Sequence, residues 1–271
     1  MRKSSLVPLC VYKQAFELFN ELRLDGTKDD VVPGLIRGSA KIISAESAAI
    51  CATDDVSLAP LAGESMGWNL EGPPEVMARY ASTYYSHDPL YYRFKTFAQS
   101  KSTFEVIQNV DALSRPKIVD SEFFCEFLRP LGQMYYLSLY LNIEDAPPMY
   151  IGFHRRIGSR PFSDREKETI KMLAPQISER LRAVRFGGGG KMPRQNKSGL
   201  LSRREMEIAK HVAAGLKNRE IGETLFITEQ TVKDHIYNIF RKTGVNNRVG
   251  LVCWLLNCPI AALGQTAREK G

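Results

Sequence analysis

Residues 187–199 read GGGGKMPRQNKSG. Four consecutive glycines have no side chain to bury and lose the most freedom when fixed. The polar, basic and proline-containing run behind them adds nothing to a core. No helix or strand is expected to cross this stretch, so the chain is expected to fold in two pieces. These are residues 1–186 and residues 200–258, joined by a flexible linker at 187–199 and followed by a tail at 259–271. Lys191 after the glycines raises the alternative of a phosphate-cradling loop. That loop requires a strand before it and a helix opening directly behind it; here a helical pattern precedes and Pro193 follows.

The charge divides at the same place. Residues 1–186 hold 23 Lys+Arg against 23 Asp+Glu, and residues 187–271 hold 14 against 7, so the whole excess of +7 lies in the last third. A basic terminal piece beside a neutral one fits a polyanionic partner, and equally a solvated basic surface. No run reaches the roughly 18 apolar residues that a membrane span needs. The start, MRKSSLVPLCVYKQAF, has its apolar run broken by Lys13 and Gln14, unlike a signal peptide. Five cysteines, at 10, 51, 125, 253 and 258, form no C-x-x-C pair. Free thiols in a reducing cytoplasm are expected rather than disulfides. The four histidines are scattered without metal-ligand spacing, and no metal or cofactor is expected.

In the first piece, Val11, Ala15, Leu18, Phe19 and Leu22 recur at helical spacing, and 31–43 reads as a second helix. SAAICATDD reads as a strand with a short partner at 57–61. Residues 73–85 form a helix opened by prolines, and 121–131 a short helix. MYYLSLYLNI and MYIGFHRRIG read as strands joined by EDAPP. A long helix over 163–185 begins with a capping box, Ser163 to Glu166, and carries Pro175, an expected kink. Its stripe of Ile170, Leu173, Ile177, Leu181 and Val184 suits either its own sheet or a partner helix; the second option makes it a dimerisation element. Together these predict an α+β domain with a central antiparallel sheet and flanking helices.

After the linker the strands stop. SRREMEIAKHVAAG opens with a capping box, Ser202 to Glu205, and stops at Gly215. Asn218 is placed to cap NREIGETLF, and a tight turn at Phe226–Ile227 follows. Thr228 caps a helix that Gly244 ends, and Asn247 caps RVGLVCWLL. Four short helices, the second and third joined by a three- to four-residue turn, describe a helix-turn-helix. At about 100° per residue, Val232, Ile236 and Ile239 share one side of the third helix. Gln230, Lys233, Asp234 and Tyr237 share the other, where they can enter a DNA major groove. Thr228, Glu229, Thr231, Asn218, Arg219, Arg241, Lys242 and Arg248 flank that face, positioned to meet bases or phosphates.

The segment LSRREMEIAKHVAAGLKNREIGETLFITEQTVKDHIYNIFRKTGVNNRVGLV closely resembles the LuxR-type helix-turn-helix domain. Leu201, Glu205, Gly215, Asn218, Ile221, Thr231, Val232, Lys233, His235, Ile239, Lys242, Gly244 and Val245 are among the matching residues. The resemblance implies a bacterial transcriptional regulator that binds double-stranded DNA as a homodimer through the third helix. Gly222 departs from the alanine usual in that family, and implies unusually close packing of the second helix.

Such regulators take their input through the N-terminal domain. PPEVMARYASTYYSHDPLYYRF resembles the autoinducer-binding segment of quorum-sensing regulators, with Asp88 at the position that receives the ligand amide. Val76 and Met77 stand where the family has a tryptophan. SEFFCEFLRPLG, the two strands and RPFSDREKETIKMLAPQI resemble the GAF- or PAS-like sensory domains of other LuxR-type regulators. The expectation is a sensor for a small molecule or a partner, with Trp68, Tyr80, Tyr84, Asp88 and Tyr91 as candidate lining. An acyl-homoserine-lactone receptor and a ligand-free interaction scaffold are the alternatives. Gly63-Glu64-Ser65-Met66-Gly67 matches G-x-S-x-G, with Asp88 and His154 following in order. A nucleophile elbow needs a strand before it and a helix after it; WNLEGPP is turn-like instead, and no enzyme is expected.

Overall fold

The computed structural model describes residues 7–22, 28–70, 72–185 and 200–255. The expected linker at 187–199 and tail at 259–271 lie outside them. Helices α1 (Leu9–Glu21) and α2 (Lys28–Ile42) lead into strand β1 (Ser47–Ala52), then β2 (Met66–Trp68). Next come α3 (Pro73–Arg79), α4 (Tyr91–Ala98), β3 (Phe104–Gln108), α5 (Asn109–Ala112) and α6 (Arg115–Val119). Strands β4 (Gln133–Leu141) and β5 (Met149–Arg156) and the long helix α7 (Asp164–Arg185) complete the domain. The five strands form one sheet in the order β2-β1-β5-β4-β3, every neighbouring pair antiparallel. The partner of β1 is Met66–Trp68, beyond the 57–61 expected from the sequence, where Thr53 and Pro60 make only an isolated bridge.

Alternation along the strands sends side chains to two separate cores. Ala48, Ile50, Leu137, Leu139, Ile151 and Phe153 face α1, α2 and α7. Ala49, Cys51, Tyr136, Tyr140 and Tyr150 face the aromatic layer from α3, α4 and the 123–128 segment. Because both faces are covered, β4 is buried at every position and reads as a largely apolar run, broken only by Gln133 and Ser138. The stripe of α7 packs on its own sheet: Ile170, Leu173, Ile177 and Leu181 are buried in the first core. Its capping box closes, with Ser163 N donating to Glu166 Oε2 at 2.7 Å. Glu166 also pairs with the buried Arg155 and with Arg160, each at 2.8 Å. Burial pushes the Glu166 carboxyl up, but the two guanidiniums outweigh it and bring it down to about 2. Arg155 lies over the Phe162 ring at 4.1 Å and donates to the Ile43 carbonyl at 2.8 Å, tying α2, β5 and α7 together.

Two helical segments widen into π-turns, Tyr80–Tyr84 and Phe123–Leu128. Such bulges insert a residue into the helical ladder and re-aim side chains, often where function lies. Here both carry rings toward the second core.

The C-terminal piece comprises α8 (Arg203–Ala213), α9 (Asn218–Leu225), α10 (Glu229–Thr243) and α11 (Arg248–Leu255). Leu201, Ile208, Val212, Ile221, Val232, Ile236, Ile239 and Leu251 form its own core. Ala213 and Val252 instead join the core that contains Tyr12 and Phe16 of α1, so α1 packs against α8 and α11.

Candidate functional site

Each helix of the C-terminal piece starts and stops where local chemistry dictates. Ser202 Oγ accepts from Glu205 N at 3.2 Å, and Glu205 Oε2 accepts from Ser202 N at 2.8 Å. Helix α9 is capped at Lys217, whose amide donates to Glu220 Oε2 at 2.6 Å; Asn218, expected as the cap, is the first helical residue. Phe226 ends α9 in the left-handed region at φ 55, and Ile227 N donates to Gly222 O at 3.0 Å. A Cβ on Gly222 would sit 2.7 Å from the Ile227 carbonyl oxygen. The glycine therefore lets α9 press directly on the turn. Thr228 Oγ1 accepts from Thr231 N at 3.1 Å, opening α10, and Gly244 closes it at φ 72.

Helix α10 has two unlike faces. Val232, Ile236 and Ile239 are buried, while Gln230, Lys233, Asp234, Tyr237 and Arg241 are exposed, Tyr237 to 69%. The exposed groups are lightly tethered. Lys233 Nζ pairs with Glu229 at 3.0 Å, Gln230 donates to Asp234 at 3.0 Å, and Arg219 on α9 pairs with Glu223 at 2.9 Å. Exposed i,i+4 pairs of this kind contribute only about 0.3–0.5 kcal/mol, so a nucleic-acid oxygen can displace them. Thr228, Glu229 and Thr231 lie at the N-terminus of the same helix, where free amides and the helix dipole favour a phosphate.

Three other candidates, Lys242, Asn218 and Arg248, spend their polar groups on partners within the domain. Lys242 Nζ reaches the buried Glu205 at 2.7 Å. Arg248 donates to the Leu216 carbonyl at 2.7 Å and to the Asn218 side chain. Burial pushes the Glu205 carboxyl up, but Lys242 and Ser202 outweigh it and hold it below the ordinary range. These contacts tie the last turn of α10 and the start of α11 to α8 and the start of α9, fixing how the exposed face is presented.

A second site lies between the sheet and the π-turns. In register across three strands stand Ala49, Gly152 and Ser138. This row of small residues makes a depressed floor. Tyr150 flanks it on one side, and Tyr136 and His154 on the other. Tyr80, Phe123, Phe127, Leu128, Val76 and Met77 close over it, leaving a cavity of about 50 Å³. Asp88 is its one carboxylate. Asp88 Oδ1 accepts from Tyr136 Oη at 2.6 Å and from Leu90 N at 2.8 Å, and Oδ2 accepts from Tyr80 Oη at 3.0 Å.

Of the five expected lining residues, Tyr80 and Asp88 meet at this cavity. Trp68 packs on the opposite face of the sheet. Tyr84 packs with its ring tilted against Phe127 at 5.1 Å, outside the lining. Tyr91 packs edge-on against Tyr85 at 4.9 Å. Cys51, Tyr136, Tyr150 and His154 line the cavity without having been singled out as ligand contacts from sequence. Burial pushes the Cys51 thiol up to about 12 and the His154 imidazole down to about 4. Ser65 lies between a 3-10 turn at Ala62–Glu64 and β2, and its Oγ donates to the Leu61 carbonyl at 2.8 Å. A turn before a strand is the reverse of the order a nucleophile elbow needs.

Residues 199–255 match the family model "Bacterial regulatory proteins, luxR family". The C-terminal domain is a LuxR-family helix-turn-helix domain. The CsgBAC operon transcriptional regulatory protein of Escherichia coli is 49% identical over 57 residues, 21% of this chain and 26% of that protein. Transcriptional regulatory protein LiaR of Bacillus subtilis is 39% identical over 89 residues, 33% of this chain and 39% of that protein. The chain thus spans between a quarter and two fifths of the length of these curated relatives. Among solved structures, Escherichia coli SdiA aligns over 93% of this chain and 96% of its own, with a TM-score of 0.43 and 19% identity. The VqsR LBD domain from Pseudomonas aeruginosa aligns over 64% of this chain and 94% of its own, with a TM-score of 0.47 and 14% identity. No helix among the described residues is long and apolar enough to cross a membrane.

Proposed function

We propose that this chain is a homodimeric transcriptional regulator that reads duplex DNA with the exposed face of α10 and receives a small effector in the cavity beneath its π-turns. The observation that carries the first half is the division of α10: Val232, Ile236 and Ile239 are buried, and Gln230, Lys233, Asp234 and Tyr237 project outward. A major groove about 12 Å wide admits one such helix. Lysine and glutamine offer the donors and acceptors that base edges present. The +7 excess of residues 187–271 supplies the attraction to phosphate. The relatives matched by this domain are named as transcriptional regulators.

The effector half rests on the cavity. At about 50 Å³ it holds roughly three to five waters at about 10–15 Å³ each. Pockets for drug-sized ligands are several times larger. The size favours a ligand of few heavy atoms over an acylated lactone.

The test of DNA binding is a mobility-shift titration on duplex DNA at several salt concentrations. The expected result is an affinity that falls steeply as salt rises, since each phosphate contact releases counterions. Absence of binding at low salt by the folded protein would overturn the reading.

A further inference from the structure

The cavity's polar groups do not balance. Asp88 is the one charged residue among those lining it; no Lys or Arg is present there, and no described cation pairs with Asp88 within the molecule. Its three donors are two phenols and one amide, which leaves about one of a carboxylate's four acceptor positions open. One further polar atom beside the same space has no hydrogen-bond partner, the fully buried Tyr150 Oη; His154 leans its Nε2 edge over Gly152, and its imidazole is drawn to the Ser47 backbone. Tyr150 Oη lies near Cys51 and Tyr80 without meeting hydrogen-bond geometry to either. Buried polar atoms are normally paired, and each exception asks for an explanation.

We propose that the cavity receives a small alkylamine in its ammonium form, held by Asp88 and donating to Tyr150 Oη. This deepens, and rests on, the reading of the cavity as an effector site. An ammonium group carries three donors and no acceptor, so it can donate to the open Asp88 position and to Tyr150 Oη together. The surrounding rings of Tyr80, Phe123, Phe127, Tyr136 and Tyr150 suit a cation, because an aromatic face carries negative potential. An anionic ligand meets the opposite: a carboxylate, no cation and low dielectric. Burial pushes the Asp88 carboxyl above its ordinary range, against the pull of Tyr136; a bound cation relieves that cost. The apolar side chains of Leu70, Val76, Met77 and Leu131 beside the cavity fit an alkyl tail.

The test titrates the full chain with butylammonium and with butanol, equal in length and differing in charge, at matched ionic strength. Binding is read by calorimetry and by thermal unfolding. The expected result is saturable, one-site binding of butylammonium that raises Tm, with butanol weaker by about tenfold or more, the discrimination of a charged hydrogen bond. Asp88→Asn is expected to abolish the preference for the cation. Tyr150→Phe, which keeps the ring and the fold, is expected to weaken butylammonium binding by about threefold or more. Butanol binding as well as butylammonium would leave an effector cavity but overturn the amine. No saturable butylammonium binding, or binding unchanged in both variants, would also overturn it. DNA binding measured on the same preparation reports separately on the regulator reading.

Discussion

Replacing Glu205 with alanine tests how α10 is held. Glu205 closes the capping box of α8 through Ser202 N at 2.8 Å and receives Lys242 Nζ from the last turn of α10 at 2.7 Å. Loss of a cap costs about 0.5–2 kcal/mol. Loss of a hydrogen bond to a charged partner costs about 1.5–3 kcal/mol. Lys242 keeps 37% side-chain exposure and can turn to water, so the lower part of that range applies. The expected loss is about 2–4 kcal/mol for the C-terminal domain. At about 2 kcal/mol/M in urea, the middle of the usual range, the unfolding midpoint falls by roughly 1–2 M. Amide hydrogen exchange in α8 and α10 should accelerate together, because the pair joins them. Glu205→Gln retains the capping acceptor and should lose less. A double-mutant cycle with Lys242→Ala should give a coupling of about 1–2 kcal/mol. A Glu205→Ala protein within about 0.5 kcal/mol of wild type would refute the brace.

Gly222→Ala should destabilise the domain although alanine is the better helix former. The Cβ meets a backbone oxygen at 2.7 Å, and overpacking of about 1–3 kcal/mol outweighs the gain of about 1 kcal/mol; a net gain measured by urea unfolding would contradict the close approach. His154 makes stability pH-dependent. Its folded-state value is depressed from 6.5 to about 4, so its contribution is full above pH 6.5 and is lost as pH falls through 4, amounting to about 3 kcal/mol at 1.36 per unit. The difference in stability between wild type and His154→Gln should shrink by that order between pH 7 and pH 4. Glu166, depressed to about 2 from 4.5, loses its contribution in a lower window and cancels from that difference, as does Asp88, whose raised value acts in the opposite direction.

Much of the C-terminal domain could be read from residues alone because its boundaries are set locally. Ser202, Gly215, Thr228, Gly244 and Asn247 each satisfy backbone groups within a few residues, and the structure places each at a helix end. Only the cap of α9 differs, Lys217 in place of Asn218, whose side chain accepts from Arg248 instead. The N-terminal domain is less legible. Strands β4 and β5 are buried on both faces, so composition does not say that Tyr136 and Tyr150 face the cavity while Leu137 and Ile151 face α7. The alternation Tyr150, Gly152, His154 was present as a signal, but it needs the register with Ala49 and Ser138 to become a floor. Trp68 was drawn to the wrong face by type: an aromatic near Tyr80 in sequence sits across the sheet once β2 pairs with β1. Strand β3 and helix α4 were not recognised, since β3 is only half-buried along most of its length and lacks clean alternation.

The most direct test of the central claim is selection of bound duplexes from a random pool, followed by affinity measurement on the selected site for wild type, Lys233→Ala and Gln230→Ala. Each base-edge contact discriminates by about 1–3 kcal/mol. The account predicts that both variants stay folded, lose about tenfold or more on the selected site, and relax the preference at individual base positions. Variants that bind the same site with wild-type affinity and wild-type preference would show that the outward face of α10 does not read DNA.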